Sequence, residues 1–319
     1  MRKINFYSFH KGIAEHRFDH NNSIALEQEL SNHFEINRHE LTGNGSFIYH
    51  GIPINHGSIL IFEYDDTKEF KVYDFGDHPS LAVALSTSSK FIGAVVGQYN
   101  SYYWDIICTD TEKRKTIVAG PYPDTNWQLG MNYDIVQEFR NSNQLDNRLY
   151  WRGSLYNHGV DSRYLGVRKA LEILPTYLTE SELYYGAGPL PFDYYLQESF
   201  QFQLALSIGG GGGAICGDLC FRDIEMFGLG IALIRPKYIT TTSDPLIPDY
   251  HYISVDAEFD SDFKYANPDK LAKEIAYRYK HVINDLDLIN SVALNARQWY
   301  MNNISYPNIT HNIISLLDL

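Results

Sequence analysis

Short apolar runs alternate along the chain with longer runs in which apolar residues recur at helical spacing. In the first half, Ile4 to Phe9, Ser58 to Tyr64, Phe70 to Phe75 and Phe91 to Val96 read as strands. Ser23 to Phe34 and Pro79 to Ser86 read as helices between them. Gly120, Pro121, Pro123 and Gly130, followed by the polar stretch Asn141 to Asn147, interrupt the pattern and predict a domain junction. The second half restarts it. Strands are predicted over Arg148 to Arg152, Phe202 to Ile208, Ile231 to Ile234 and Tyr252 to Val255, with helices over Ser162 to Leu174 and Asp218 to Phe227. Asn267 then Pro268 forms a helix start, and Leu271, Ile275, Tyr279 and Val282 mark one buried face behind it. Two last helices, Leu286 to Asn302 and Asn308 to Leu317, are broken at Pro307. No solenoid repeat is found, and the low-complexity tract is the run Gly209 to Gly213.

Strands alternating with helices predict an α/β protein with largely parallel sheets. A length of 319 residues suits two domains, expected here as 1–145 and 146–319, and small-molecule sites favour the cleft between two such domains.

Charge narrows the function classes. Lys and Arg total 26 against 39 for Asp and Glu, a net charge of −13. This repels phosphate backbones and anionic lipid, which argues against a nucleic-acid or membrane-surface partner. No stretch approaches the roughly 18 apolar residues of a membrane span. Met1 to His20 carries Lys3, His10, Lys11, Glu15, His16, Arg17 and Asp19 and lacks the apolar run of a signal peptide, so a cytoplasmic location is expected. Cys108, Cys216 and Cys220 are too few and odd in number for a disulfide framework. The 25 Tyr residues are compatible with a sugar-binding cleft but do not imply one.

Two stretches can carry chemistry. The apolar strand before Gly209 to Gly213 leads to a helix opened by Phe221-Arg222, with Glu225 one turn later. Backbone N–H groups at Gly211 and Gly212, together with a helix N-terminus, can approach a phosphate. Arg222 can add a charge-assisted contact, and Glu225, on the same helix face, can accept ribose hydroxyls. The plain alternative is a surface loop followed by an i,i+3 ion pair. The stretch fits neither the dinucleotide-binding nor the Walker A pattern. The second stretch, Arg148-Leu149-Tyr150-Trp151-Arg152-Gly153-Ser154 with Arg163 and Arg168, forms a basic spot in an acidic chain, or else a strand edge guarded by charge. Other motifs lead nowhere. Asp74-Phe75-Gly76 lacks the kinase loops, His16 and His20 lack a third ligand, Cys216 and Cys220 lack the second half of a zinc site, and Ser154 lacks a nucleophile elbow. No metal site is expected.

Arg152-Gly153-Ser154 after an aromatic, Phe221-Arg222 opening a helix, Gly230 before an apolar strand and His251-Tyr252-Ile253 in the next strand follow an order that resembles glycosyltransferase family 90, which includes capsule-associated, lipopolysaccharide-modifying and protein O-glucosyl- and O-xylosyltransferases. The resemblance spans about residues 145 to 300. Ile231, Ser254 and Leu155-Tyr156 depart from the family pattern, and Asn157 to Ser162 are inserted before Arg163. The likeness implies a GT-B fold, two Rossmann-like domains facing across a cleft with C-terminal helices, the nucleotide sugar held by the second. It implies inverting, metal-independent transfer of glucose or xylose from a UDP-sugar to a glycan hydroxyl, with no cofactor beyond that donor. Arg152, Gly153, Ser154, Arg163, Gly211, Gly212, Arg222 and Glu225 would hold the donor. Tyr103-Trp104-Asp105-Ile106 is similar to the family segment that carries the general base, which makes Asp105 the expected base. Asp74, Asp77 and His78, which follow a predicted strand and precede a predicted helix, are the reserves. Tyr103, Trp104 and Trp127 would line the acceptor. A GDP- or dTDP-sugar donor, or a non-catalytic glycan-binding protein, are the competing readings.

Overall fold

The computed structural model describes residues 1–10, 27–42, 47–49, 52–54, 58–63, 73–75, 78–80, 91–96, 114–119, 133–153, 163–188, 190–208, 220–238, 244–260 and 264–303, with 308, 311 and 314. Two compact units divide the chain. One comprises Met1–Pro121, Thr240–Asp244 and Asn302–Leu319, and the other Tyr122–Ile239 and Pro245–Met301.

In the first unit β1 (Arg2–His10), β2 (Phe34–Thr42), β3 (Phe47–Tyr49), β4 (Ile52–Ile54), β5 (Ser58–Glu63), β6 (Tyr73–Phe75), β7 (His78–Ser80), β8 (Phe91–Val96) and β9 (Arg114–Ala119) follow one another. The main sheet runs β2-β1-β5-β8-β9. Its outer pairs are parallel, but β5 runs antiparallel to both β1 and β8, so this sheet is mixed where parallel strands were expected. Apolar patterning marks a strand but not its direction, which the connections decide. The helix expected over Pro79 to Ser86 is also corrected at its start. His78–Ser80 pairs antiparallel with Tyr73–Phe75 as a two-stranded ribbon.

In the second unit α1 (Tyr133–Ser142), β10 (Asp146–Gly153), α2 (Arg163–Ile173), β11 (Leu183–Ala187), α3 (Phe192–Ser199), β12 (Phe202–Leu206), α4 (Phe221–Leu229), β13 (Ala232–Pro236), β14 (Ile253–Val255), α5 (Pro268–Val282) and α6 (Leu286–Asn303) build one five-stranded sheet with its helices. Every pairing in the order β11-β10-β12-β13-β14 is parallel. The α/β class read from the sequence is therefore found. Leu149 and Trp151 of β10, Leu204 and Leu206 of β12 and Ile234 of β13 join Leu171 of α2, Leu271 and Ile275 of α5 and Ile289 of α6 in one buried core. Helix α5 starts as its sequence dictates, Asn267 Oδ1 accepting from the Lys270 N–H at 3.1 Å with Pro268 in the first turn. Leu271, Ile275, Tyr279 and Val282 are all buried.

Helix α1, which the sequence reading leaves before the junction, lies in the second unit. Its side chains bond to the end of α4, the end of α3 and the start of β12. Gln137 donates to the Leu229 carbonyl at 3.0 Å, and Arg140 donates to the Phe200 and Phe202 carbonyls at 3.1 and 2.6 Å. Burial lowers the Arg140 pKa to about 10, which still leaves it charged at neutral pH.

Helix α4 is fixed at both ends. Its first turn is a capping box in which Asp223 accepts from the Cys220 N–H at 2.9 Å. The same carboxylate pairs with Arg235 of β13, and neither side chain has any solvent exposure. The Arg235 guanidinium also lies 3.3 Å from the Tyr238 ring centroid and donates to the Pro236 carbonyl at 2.9 Å. At the far end Gly230 takes the left-handed conformation, φ 68°, and a Cβ there would stand 2.7 Å from the Tyr133 ring. Arg297 of α6 donates to the Gly228 carbonyl at 2.6 Å, placing a cation at the negative end of the helix.

Asp223→Ala strands Arg235 in a water-free site, and breaking such a pair costs about 3–5 kcal/mol. Denaturant unfolding reads this loss, and replacing both partners by apolar residues (Asp223→Leu with Arg235→Met) recovers most of it.

Candidate functional site

Within the second sheet β10 lies between β11 and β12, and chain order reverses there. The chain passes from β10 to β11 on one side and from β12 to β13 on the other, which makes the carboxyl ends of β10 and β12 the switch point of the sheet. In open parallel sheets this is where ligands bind. The residues at that edge are Arg152 and Gly153 of β10 and Ser207 and Ile208 after β12, with Arg222 in the first turn of α4.

Arg152 is held in a fixed pose. In the strand register it faces Gly186 of β11, and a Cβ on Gly186 would come within 2.6 Å of the guanidinium carbon. The missing side chain is what lets the guanidinium lie against the neighbouring strand. Glu198 of α3 accepts from Nε at 2.7 Å and from Nη2 at 2.8 Å, a bidentate pair. Nη2 also donates to the Tyr184 hydroxyl at 3.2 Å, and Nη1 reaches the Gly188 carbonyl at 3.4 Å. The Glu198 hydrogen bonds raise the Arg152 pKa, so its charge is permanent. The pair is only partly covered, with 13% of the Arg152 side chain and 20% of Glu198 exposed.

Arg222 is tied to the same strand end. Its Nη2 donates to the Arg152 carbonyl, its guanidinium sits 5.6 Å from the Trp151 ring centroid, and its Nε donates to the Tyr195 hydroxyl at 3.4 Å. A Cβ at Gly153 would stand 2.9 Å from the Trp151 ring and 3.6 Å from Arg222 Nη2. Burial disfavours the Arg222 charge, but Tyr195 and Glu225 outweigh it and raise its pKa. Glu225, one turn further along α4, is buried and bonds to Tyr195. Burial pushes its pKa up to about 7, with the Arg222 charge and the Tyr195 hydrogen bond opposing. Tyr150, under the cluster, is fully buried, and its hydroxyl comes near Glu198 without a hydrogen bond of ordinary geometry.

The structure thus brings Arg152, Gly153, Arg222 and Glu225 together. Arg163 opens α2. Asp74 and His78 belong to the β6–β7 ribbon of the first unit. Asp105, Tyr103, Trp104, Trp127, Ser154, Gly211, Gly212 and Asp77 lie outside the described residues. Two members of the expected basic spot have structural partners. Arg148 forms a bidentate pair with Asp146 and stacks over Tyr184 at 5.1 Å, and Arg168 pairs with Glu172 one turn on at 2.7 Å. Among the described residues no three His, Cys, Asp or Glu side chains are grouped to hold a metal ion. Burial, then the Asp223 charge, pushes the Cys220 thiol up to about 11, so it stays protonated.

Sequence reasoning missed Glu198, Tyr184, Tyr195 and Gly186, because β11 and α3 were not recognised. Their signal was present. Gly188, Pro189 and Pro191 are breakers between a short Tyr-rich run and a helix.

No family model matches the chain, and no curated protein matches it in sequence. Solved structures do resemble it in outline. A glycosyltransferase from Rickettsia africae is 11% identical, with a TM-score of 0.47 over 99% of this chain and 98% of that one. TarM is 10% identical, with a TM-score of 0.41 over 78% of this chain and 48% of that one, so the match spans about half of TarM. A sucrose-phosphate synthase from Thermosynechococcus elongatus is 12% identical, with a TM-score of 0.41 over 98% of this chain and 73% of that one.

Two outcomes follow from the geometry. Gly186→Ala drives a methyl group into the Arg152 guanidinium, and overpacking of this kind costs about 1–3 kcal/mol, read as a lowered unfolding midpoint. Glu225 binds its proton more tightly folded, near 7, than at its ordinary 4.5. Its contribution to stability is therefore present at low pH and lost as pH rises from about 4.5 through about 7. Glu225→Gln removes that slope in urea unfolding measured across this range.

Proposed function

We propose that the chain is a glycosyltransferase of the GT-B class whose second unit holds a nucleoside diphosphate sugar at the β10–β12 crevice. One observation carries the reading. Arg152, at the end of the switch-point strand, and Arg222, in the first turn of the helix after β12, meet through a single hydrogen bond, with Glu225 beside them. Two guanidinium groups held at one strand end suit a diphosphate, because a fixed guanidinium charge forms strong charge-assisted hydrogen bonds to phosphate oxygens. Preorganised positive charge of this kind stabilises the diphosphate as it leaves. A carboxyl group with a raised pKa, poised between charged and neutral, can exchange hydrogen bonds with ribose hydroxyls.

The finer assignments extend this reading through the resemblance to family 90. The donor is a UDP-sugar carrying glucose or xylose, the acceptor a glycan hydroxyl, and transfer inverts the anomeric centre without a metal. Asp105 takes the acceptor proton, Ser154 and the Gly211 and Gly212 N–H groups complete the phosphate contacts, and Tyr103, Trp104 and Trp127 contact the acceptor sugar.

Calorimetric titration with UDP, GDP and dTDP is expected to give binding by UDP, tightest of the three. Arg222→Ala is expected to weaken UDP about 10- to 100-fold, since a hydrogen bond to a charged group is worth about 1.5–3 kcal/mol. Preference for GDP would replace the donor assignment, and equal binding by the variant would remove the site. With labelled UDP-sugar and an accepting glycan, Asp105→Asn is expected to lower turnover by about 10²–10⁴, the range a general base supplies. Full activity in that variant would exclude Asp105 as the base.

A further inference from the structure

We infer that Glu198 is a positioning residue for the donor diphosphate, acting entirely through Arg152. The inference rests on the nucleoside diphosphate reading above and adds a residue to it.

The argument starts from the long, flexible arginine side chain. Unrestrained, it loses rotamer entropy when a ligand fixes it. Here that ordering is already done. Gly186 leaves room for one flat face of the guanidinium, and the Glu198 carboxylate takes Nε and Nη2 in a two-point contact that fixes both the position and the plane of the group. The Tyr184 hydroxyl closes on Nη2 from β11. Glu198 comes from α3, 46 residues along the chain from Arg152, so the pose is set by the tertiary fold. The Nη1 end, away from the carboxylate, is directed toward the Gly188 carbonyl at the carboxyl edge of the sheet. The strand end is shared as well, since the Arg152 carbonyl is the acceptor for Arg222 Nη2. A shift of Arg152 therefore disturbs both guanidinium groups.

Positioning and simple charge counting predict opposite signs. Removing a negative charge beside an anion site should strengthen anion binding if Glu198 merely competes for Arg152. Loss of a positioning carboxylate should weaken it, even though the site becomes more positive.

The test is calorimetric titration of UDP into full-length wild type, Arg152→Ala, Glu198→Gln and the double variant, with circular dichroism to verify folding. Glu198→Gln is expected to weaken UDP by 10-fold or more. In the Arg152→Ala background the same change should have no further effect, a non-additivity that a general structural role would not produce. Tyr184→Phe, which removes one hydroxyl from the same nitrogen, provides a milder variant, expected to weaken UDP a few-fold in wild type and not at all in Arg152→Ala. UDP binding that tightens in Glu198→Gln, or that weakens equally with and without Arg152, overturns the role of Glu198 while leaving the diphosphate site standing. Wild type and Arg152→Ala binding UDP equally would remove the Arg152 contact itself, and this inference with it.

Discussion

The buried pair between Asp223 and Arg235 is the constraint on which the second unit's site depends. Arg235 stands near the end of β13 and Asp223 in the first turn of α4, so their contact fixes where the helix begins relative to the sheet. The neighbours of Asp223 in sequence and along the helix are Arg222 and Glu225. If the start of α4 slid by a residue, Arg222 would lose the Arg152 carbonyl and Glu225 would lose Tyr195. A buried ion pair is seldom a large net source of stability, because both charges are stripped of water. Its value here is geometric: only one placement of the helix satisfies it, and that placement carries the candidate ligand groups.

The cluster above this pair has a balanced charge. Arg152 and Arg222 are matched by Glu198 and Glu225, with the Tyr184 and Tyr195 hydroxyls as intermediaries. In a chain with a net charge of −13, such a balanced pocket lets positive charge be stored without advertising it over the surface.

Much of this was legible in the sequence, for reasons that differ by element. The spacing of Leu271, Ile275, Tyr279 and Val282 and the Asn267-Pro268 start specify α5 locally, and the structure buries those four residues. Strands β12, β13 and β14 are short apolar runs buried almost throughout, hence readable without alternation. Arg152 and Arg222 stand out as cations in an acidic chain, Glu225 follows Arg222 by one helical turn, and the structure gathers all three. What could not be read is what tertiary structure decides. The direction of β5 depends on its connections, the ties between α1 and the rest of the second unit on carbonyls about 60 to 90 residues away, and the hold on Arg152 on a glutamate in a helix that begins after a proline-broken loop. Arg148 shows the converse failure. It has the same composition signal as Arg152, yet a partner two residues away in Asp146 makes it a strand-start fixture.

The opposition of Arg152 and Gly186 also bears on how the sheet assembles. A parallel pair of short strands has little to fix its alignment, and a shift by one position turns every side chain to the wrong face. With Arg152 opposite Gly186, a slip that set the guanidinium against Tyr185 would meet a side chain in the space that glycine leaves open. The carboxylate of α3 could then no longer meet it. The same contact that shapes a candidate ligand site thus acts as a register check on β10 and β11, so that misaligned folding intermediates are penalised at the position where an error would matter most for binding.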